Sequence, residues 1–237
     1  MDQRYDCSYV VDIAEEPRHH LVLENEYVRA FAVEILPHDR TLCHRHPQDY
    51  LLYVASGSEI ISAARGEEPN RLSYRDGECE SSEAGLVHVV ENLGDKPFRN
   101  VVLELSPRAG ELRRGANPMR TAEDVRFSRL LDEERAAVLS IEIEPGAEVE
   151  ISGPAVVATP EGNKLTPDAI DAVEVQSHST CDIAWIPPGG AAVLWGCWEQ
   201  AERAIIFQIG RTEEQGFAVP NVGDPLRSLR AHAEPEQ

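Results

Sequence analysis

The chain has 237 residues, enough for one large domain or two small ones with separate cores. Hydrophobic residues make up 42%, the composition of a folded protein, and no apolar run approaches the ~20 residues that span a bilayer. A net charge of −20 repels nucleic-acid phosphates and anionic membrane surfaces, so neither is an expected partner. The N-terminal stretch has no basic region followed by an apolar one, so no secretory signal is expected. The five cysteines, Cys7, Cys43, Cys79, Cys181 and Cys197, are odd in number and show no CxxC spacing. Together these features predict reduced thiols in a cytoplasmic protein.

In chain order, the first strand-like run is LVLENEYVRAFAVEI (21–35). DYLLYVAS (49–56), SEIISAAR (58–65), LVHVVEN (86–92) and FRNVVLEL (98–105) follow. All are short, rich in Val, Ile, Leu and Tyr, and broken by Gly, Pro, Asp and Asn clusters. This predicts antiparallel sheets rather than βαβ units. The segment 106–124 is rich in Pro, Gly and charge and reads as a linker, with a short helix expected over RFSRLLDEERAAV (126–138). Strands then resume with LSIEIEP (139–145), EVEIS (148–152), PAVVATPEG (154–162), IDAVEVQS (170–177), DIAWIPP (182–188), AAVLW (191–195) and RAIIFQIG (203–210). The last residues, 213–237, read as an irregular tail.

The order of features repeats. VRAFAVEILPHDRT (28–41) matches VLSIEIEPGAEVE (138–150), each an alternating strand ending in a Pro turn. Residues 81–105 match 185–209 in the same way. The expected organisation is an all-β chain of two antiparallel barrels: residues 1–112, a linker at 113–134, residues 135–212, and the tail.

The chemistry concentrates at His44-Arg45-His46, followed by His88. On a strand, residues two apart share a face, so HxH sets two imidazoles side by side. A third His from another strand would complete a facial set that leaves positions open for water or a ligand. Alternation from His44 turns Gln48 and Tyr50 inward and Asp49 outward, and a bulge after Pro47 would reverse this. Gln48, Tyr50 and Asp49 are therefore candidates, in that order, for a fourth ligand or for pocket residues. Equally, Tyr50 reads as a half-buried strand aromatic and Asp49 as a solvated turn residue.

The other histidines read as peripheral: His19 and His20 as exposed residues ahead of the first strand, His38 in a turn, His178 in a loop, His232 in the tail. Cys43 reads as a small buried hydrophobe, and Trp185, Trp195 and Trp198 as core or interface. A general base near the site would come from Glu104, Glu91 or Tyr50, with Glu104 expected to face outward.

The stretch LPHDRTLCHRHPQDYLLYVASG (36–57) resembles the first signature of the cupin superfamily, through Pro37, His44, His46 and Gly57. GLVHVVENLGDKPFRNVVLEL (85–105) resembles the second, through Gly85, His88 and Asn92. The likeness covers residues 20–110 well and 135–210 more faintly, so it implies a bicupin with two jelly-roll barrels. It departs from the pattern at three places: Tyr50 stands where the family usually has a metal-ligating Glu, His38 where it has a turn Gly, and Glu83 where it has a Pro. In the second half Ser152, Pro154 and Val193 stand at the ligand places, so that unit is expected to be metal-free.

The resemblance implies one divalent transition metal, Fe, Zn, Ni or Mn, on His44, His46 and His88. Three-histidine iron sites in this family are associated with dioxygenases, so oxygenation of a small chelating anion is the leading enzymatic expectation. Lewis-acid isomerisation or decarboxylation, and non-catalytic binding or sensing of a small molecule, are the other expectations. Pairing of two chains through the apolar segments 21–35 and 203–210 is also expected.

Overall fold

The computed structural model describes residues 5–114, 119–121, 125–159, 174–196 and 202–212. The expectations for Trp198, Cys197, His232, the 213–237 tail and the parts of the 154–162 and 170–177 runs that fall within 160–173 lie outside the described residues.

The first unit contains β1 (Val11–Asp12), β2 (His19–Glu24), β3 (Val28–Ile35), β4 (His44–Arg45) and β5 (Asp49–Ser56). It continues with β6 (Glu59–Ala64), β7 (Asn70–Ser73), β8 (Cys79–Ser82), β9 (Val87–Asn92) and β10 (Phe98–Leu105). They form two five-stranded sheets, β1-β4-β9-β6-β7 and β2-β3-β10-β5-β8. These face each other as a jelly roll, and no ladder joins the two sheets among the described residues. The run 21–35 is not one strand: Asn25 Oδ1 accepts from the backbone N–H groups of Tyr27 and Val28 and turns β2 back onto β3. β7 and β8 are polar strands that carry no apolar run, and so give no strand signal in sequence.

Glycine places in the resembled signatures have physical causes here. A Cβ on Gly57 would stand 2.2 Å from the Tyr74 carbonyl oxygen, so only Gly admits that close approach. His38 holds φ of 59°, the left-handed conformation for which the family uses Gly.

The second unit contains β11 (Arg113–Arg114), β12 (Met119–Thr121), β13 (Val125–Asp132), β14 (Ala136–Ile143), β15 (Glu148–Ser152) and β16 (Ala155–Thr159). It ends with β17 (Glu174–Ser177), β18 (Asp182–Ile186), β19 (Ala191–Trp195), β20 (Glu202–Ile209) and β21 (Arg211–Thr212). One sheet runs β13-β14-β20-β16-β18-β17, a smaller one β12-β15-β19, and β11 pairs with β21. The helix expected over 126–138 does not form. Residues 125–132 are an edge strand along β14, because the ladder offered there outweighs a weak helical preference.

The central strands of the two large sheets, β3, β10 and β5 in one and β14, β20 and β16 in the other, are buried on both faces, as their near-continuous Val, Ile and Ala runs require. In β3, Phe31, Val33 and Ile35 face the interior of the first unit, while Val28, Ala30 and Ala32 face the second. In β20, Ile205, Phe207 and Ile209 meet that second set, while Ala204 and Ile206 face the interior of their own unit. The segments 21–35 and 203–210, expected to pair two chains, thus bury their apolar faces against each other within one chain. The internal duplication supplies the sheet that a second copy would otherwise bring. Arg135 to Asp49 at 2.6 Å, and Tyr27 stacked on Trp185, fasten the margin of this contact.

Candidate metal centre

β4 is only two residues long, but its pairing fixes the site. His44 lies opposite His88 of β9 in the antiparallel register, and the alternation of the chain returns His46 to the same face. His88 Nε2 stands 3.1 Å from His44 Nε2 and 3.3 Å from His46 Nε2. All three rings are buried. The structure therefore brings the three sequence-derived candidates together at one point.

The remaining ring nitrogens orient the cluster. His44 Nδ1 donates to the Leu42 carbonyl at 3.0 Å, which leaves its Nε2 lone pair facing the centre. His88 Nδ1 meets the Ser62 hydroxyl at 3.1 Å. His46 Nδ1 lies 3.7 Å from Glu104 Oε1, too far for a hydrogen bond, and neither atom has a hydrogen-bond partner. Glu104 Oε2 is held by Arg29, whose Nε donates at 2.9 Å, and Arg29 in turn reaches Asp12 at 3.2 Å. The expectation that Glu104 faces outward is corrected: it is fully buried, on the inward face with Phe98, Asn100 and Val102. Burial pushes its carboxyl up to about 7, against the opposing pull of Arg29.

A fourth imidazole joins the cluster. His19 offers a ligand nitrogen that, with those of His44 and His46, forms a set within 4.8 Å of one another, and its ring centroid is 4.6 Å from that of His44. Its Nδ1 donates to Glu16 Oε2 at 2.7 Å, so Nε2 is the free nitrogen. Burial alone would raise the Glu16 carboxyl. Its bonds with His19 and with the Leu42 and Arg18 backbone more than offset that and hold it below its ordinary value. His19 is thus buried, not exposed as its position ahead of the first strand suggests. β2 starts at His19 and sets it opposite Val33, which faces the interior, and a bulge between Leu21 and Leu23 then turns Leu23 toward the second unit. His20 is exposed and stacks on His178 instead.

The fourth-ligand candidates separate. Tyr50 is buried and stacks on His46 with centroids 4.2 Å apart, its hydroxyl held by Ser82. Burial pushes that hydroxyl up to about 12, so it is a neutral pocket wall. Asp49 is corrected as a ligand: Oδ1 accepts from the Ala84 N–H at 2.8 Å and Oδ2 from Arg135 at 2.6 Å, both away from the histidines. Gln48 is half-buried, its Oε1 enclosed and unpaired. Glu91 accepts from the Tyr5 hydroxyl and points away from the cluster. The signature residue Asn92 is structural: its amide donates to the Ile35 and Lys96 carbonyls and accepts from Ser58 and Gly94.

Cys43 is not a free thiol. It forms a disulfide with Cys7 that ties the N-terminal segment beside β4, where Val11 runs parallel with His44. The expectation of five reduced cysteines is corrected, and the cytoplasmic expectation loses its cysteine argument. Cys79 and Cys181 are free, and burial pushes both thiols up to about 12. Among the described residues no helix is long and apolar enough to cross a membrane.

The residues fit a divalent ion. Nitrogens about 2.1 Å from an ion and at right angles to one another stand about 3.0 Å apart, close to the observed spacing. Burial, followed by the neighbouring His19, pushes His44 down to about 3. Burial and the adjacent imidazoles likewise hold His46 and His88 well below the usual histidine range. All three are neutral at physiological pH, the form that ligates metals. Beside them lies a cavity of about 270 Å³, lined by His46, His88, Tyr50 and an apolar wall that includes Leu52, Ile60 and Phe98.

No family model matches the chain, and no curated protein does. Solved structures match its fold. A vicilin from Solanum melongena, described with different anionic ligands in structurally similar pockets, aligns with a TM-score of 0.53 at 11% identity, over 78% of this chain and 75% of its own. Salicylate 1,2-dioxygenase from Pseudaminobacter salicylatoxidans aligns with a TM-score of 0.50 at 10% identity, over 81% and 76%. The fold is that of the cupins in its two-unit form, with a histidine cluster able to hold a metal in the first unit.

Proposed function

We propose that the chain is a metal-dependent cupin whose first unit holds one divalent ion on His44, His46 and His88, with His19 beside them, and binds a small chelating anion in the adjoining cavity. The observation that carries this reading is the convergence of three Nε2 atoms at 3.1 and 3.3 Å, with the Nδ1 atoms of His44 and His88 turned away to protein partners. Bound there, iron supplies the one-electron chemistry of dioxygenation, whereas zinc, nickel or manganese supplies Lewis acidity. Three neutral histidines leave the ion's full charge to attract an anionic head group. Tyr50 shields one face of His46, and Arg29 with Glu104 stands behind it. The apolar wall keeps water from the body of the ligand.

The likeness to a salicylate dioxygenase supports oxygenation as the enzymatic reading. The likeness to a vicilin with anionic ligands favours a second one, binding without turnover. Metal content by plasma emission spectrometry, on protein purified without chelators or an affinity tag, tests the proposal. About one ion per chain, absent from a His44→Ala/His88→Ala variant, is the expected result. Iron leads to an oxygen-consumption screen. Zinc, nickel or manganese favours Lewis-acid chemistry or simple binding. No metal in either protein, even after reconstitution, sinks the reading.

A further inference from the structure

The first interior carries a carboxylate that the histidine cluster does not hold. Along β8, Cys79 packs against the apolar cluster between the units, and Ser81 donates to Glu133 of the second unit. Strand alternation therefore turns Glu80 and Ser82 the other way, into the first interior. The register agrees: Glu80 lies opposite Leu52 and Ser82 opposite Tyr50, and both partners belong to the interior cluster. Glu80 lines the cavity on the strand that ends its sheet, at the opposite edge from β2 and His19. Its Oε1 accepts from the Tyr74 hydroxyl at 2.8 Å, its one hydrogen bond among the described residues. Oε2 has no partner, yet it is not sealed off and keeps accessible surface. No arginine or lysine lines the cavity, and among the described residues no cation pairs with Glu80. A carboxylate on a largely apolar wall without a cation is unfavourable, and a ligand that brings the cation removes that cost.

We propose that Glu80 selects the far end of the ligand by charge: the cavity takes a small zwitterion, with its acidic head at the histidines and an ammonium group at Glu80. This deepens the reading that a chelating anion sits at the metal, and rests on it. The two ends of the cavity then carry opposite charges. One is cationic, because three neutral histidines leave a bound ion its full charge, and the other is the Glu80 carboxylate. Between them Leu52, Ile60 and Phe98 suit an uncharged methylene body. Tyr74 donates to one carboxylate oxygen and so orients the other toward the ammonium. An uncharged tail of the same shape would leave the carboxylate unpaired.

The experiment is calorimetric titration of the full chain, first with zinc and then, zinc-loaded, with two matched series. 3-Aminopropanoate, 4-aminobutanoate, 5-aminopentanoate and 6-aminohexanoate are set against butanoate, pentanoate, hexanoate and heptanoate, which carry a methyl group in place of the ammonium. At least one amino acid is expected to bind more tightly than its methyl partner, by about tenfold, with the ratio falling to about one or below in Glu80→Gln. The alkanoates should bind Glu80→Gln at least as well as the unmodified protein, which loss of the fold would not allow. No preference for the ammonium in any pair overturns the proposal, as does a preference that survives in Glu80→Gln, or failure of all eight acids to bind. Should Glu80→Gln fail to fold, the ratios in the unmodified protein still decide. Failure of zinc to bind defeats the metal reading, and the ratios on the metal-free chain then decide the role of Glu80. Affinities that do not change when zinc is removed defeat the placement of the head at the metal, while the ammonium-to-methyl ratio continues to report on Glu80.

Discussion

The two units share a strand plan but fill it differently. Among the described residues, the interior of the second packs Leu139, Ile141, Ile143, Val149, Ile151 and Ile206 into one apolar cluster, all nearly without exposure. The corresponding space in the first holds buried histidines, Glu104, Asn100 and a cavity. A jelly roll can tolerate an open, polar interior when another provides the packed one, because the sheets between them bury apolar side chains on both faces. The second unit therefore contributes stability that the first has given up for a site.

This contrast can be broken by truncating matched side chains. Ile141→Ala, in the packed interior, is expected to cost about 4 kcal/mol, near the upper end for such changes. Ile60→Ala, on the cavity wall, is expected to cost about 2 kcal/mol, because part of its surface already faces open volume. Equal losses in denaturant unfolding would mean that the first interior is as tightly packed as the second.

Cys43→Ser should cost about 2–4 kcal/mol by releasing the N-terminal segment that the disulfide holds beside β4. The effect should fall on the first unit alone, read as earlier loss of protection in hydrogen exchange there. Metal comes next in size. At a hundredfold excess over Kd, zinc should stabilise the protein by about 2.7 kcal/mol in a thermal scan, and leave His44→Ala/His88→Ala unmoved. Stabilisation of that variant would place the ion elsewhere.

The smallest effect concerns pH. Burial raises the Glu80 carboxyl above its ordinary value, so the folded state holds that proton more tightly than the unfolded one. Stability from this group is present at low pH and is lost as pH rises from the unfolded value through the folded one. Glu80→Gln should remove that downward slope and be slightly more stable at neutral pH. A steeper slope in the variant would mean that the ionised carboxylate is favoured where it stands.

The amino-acid sequence by itself determined the all-β class, the duplication, the bounds of β5 and β10, and His44, His46 and His88 as a group. Those are local properties: a period of two, turn residues, and histidines two apart on a strand. It also places Ser152, Pro154 and Val193, none of them a metal-ligating type, where the resembled pattern would have histidines in the second unit. Only the tertiary structure decided which face His19 presents, because β2 begins at His19, ahead of the expected strand, and pairs it with the inward-facing Val33. It turned Glu104 inward beside Arg29, paired Cys7 with Cys43, and drew the 125–132 segment into a sheet edge. Asn100 and Glu80 came into view the same way, on strands whose register is set by neighbours distant in the chain. Periodicity records which residues share a face; which face becomes the inside is settled when two sheets close on each other.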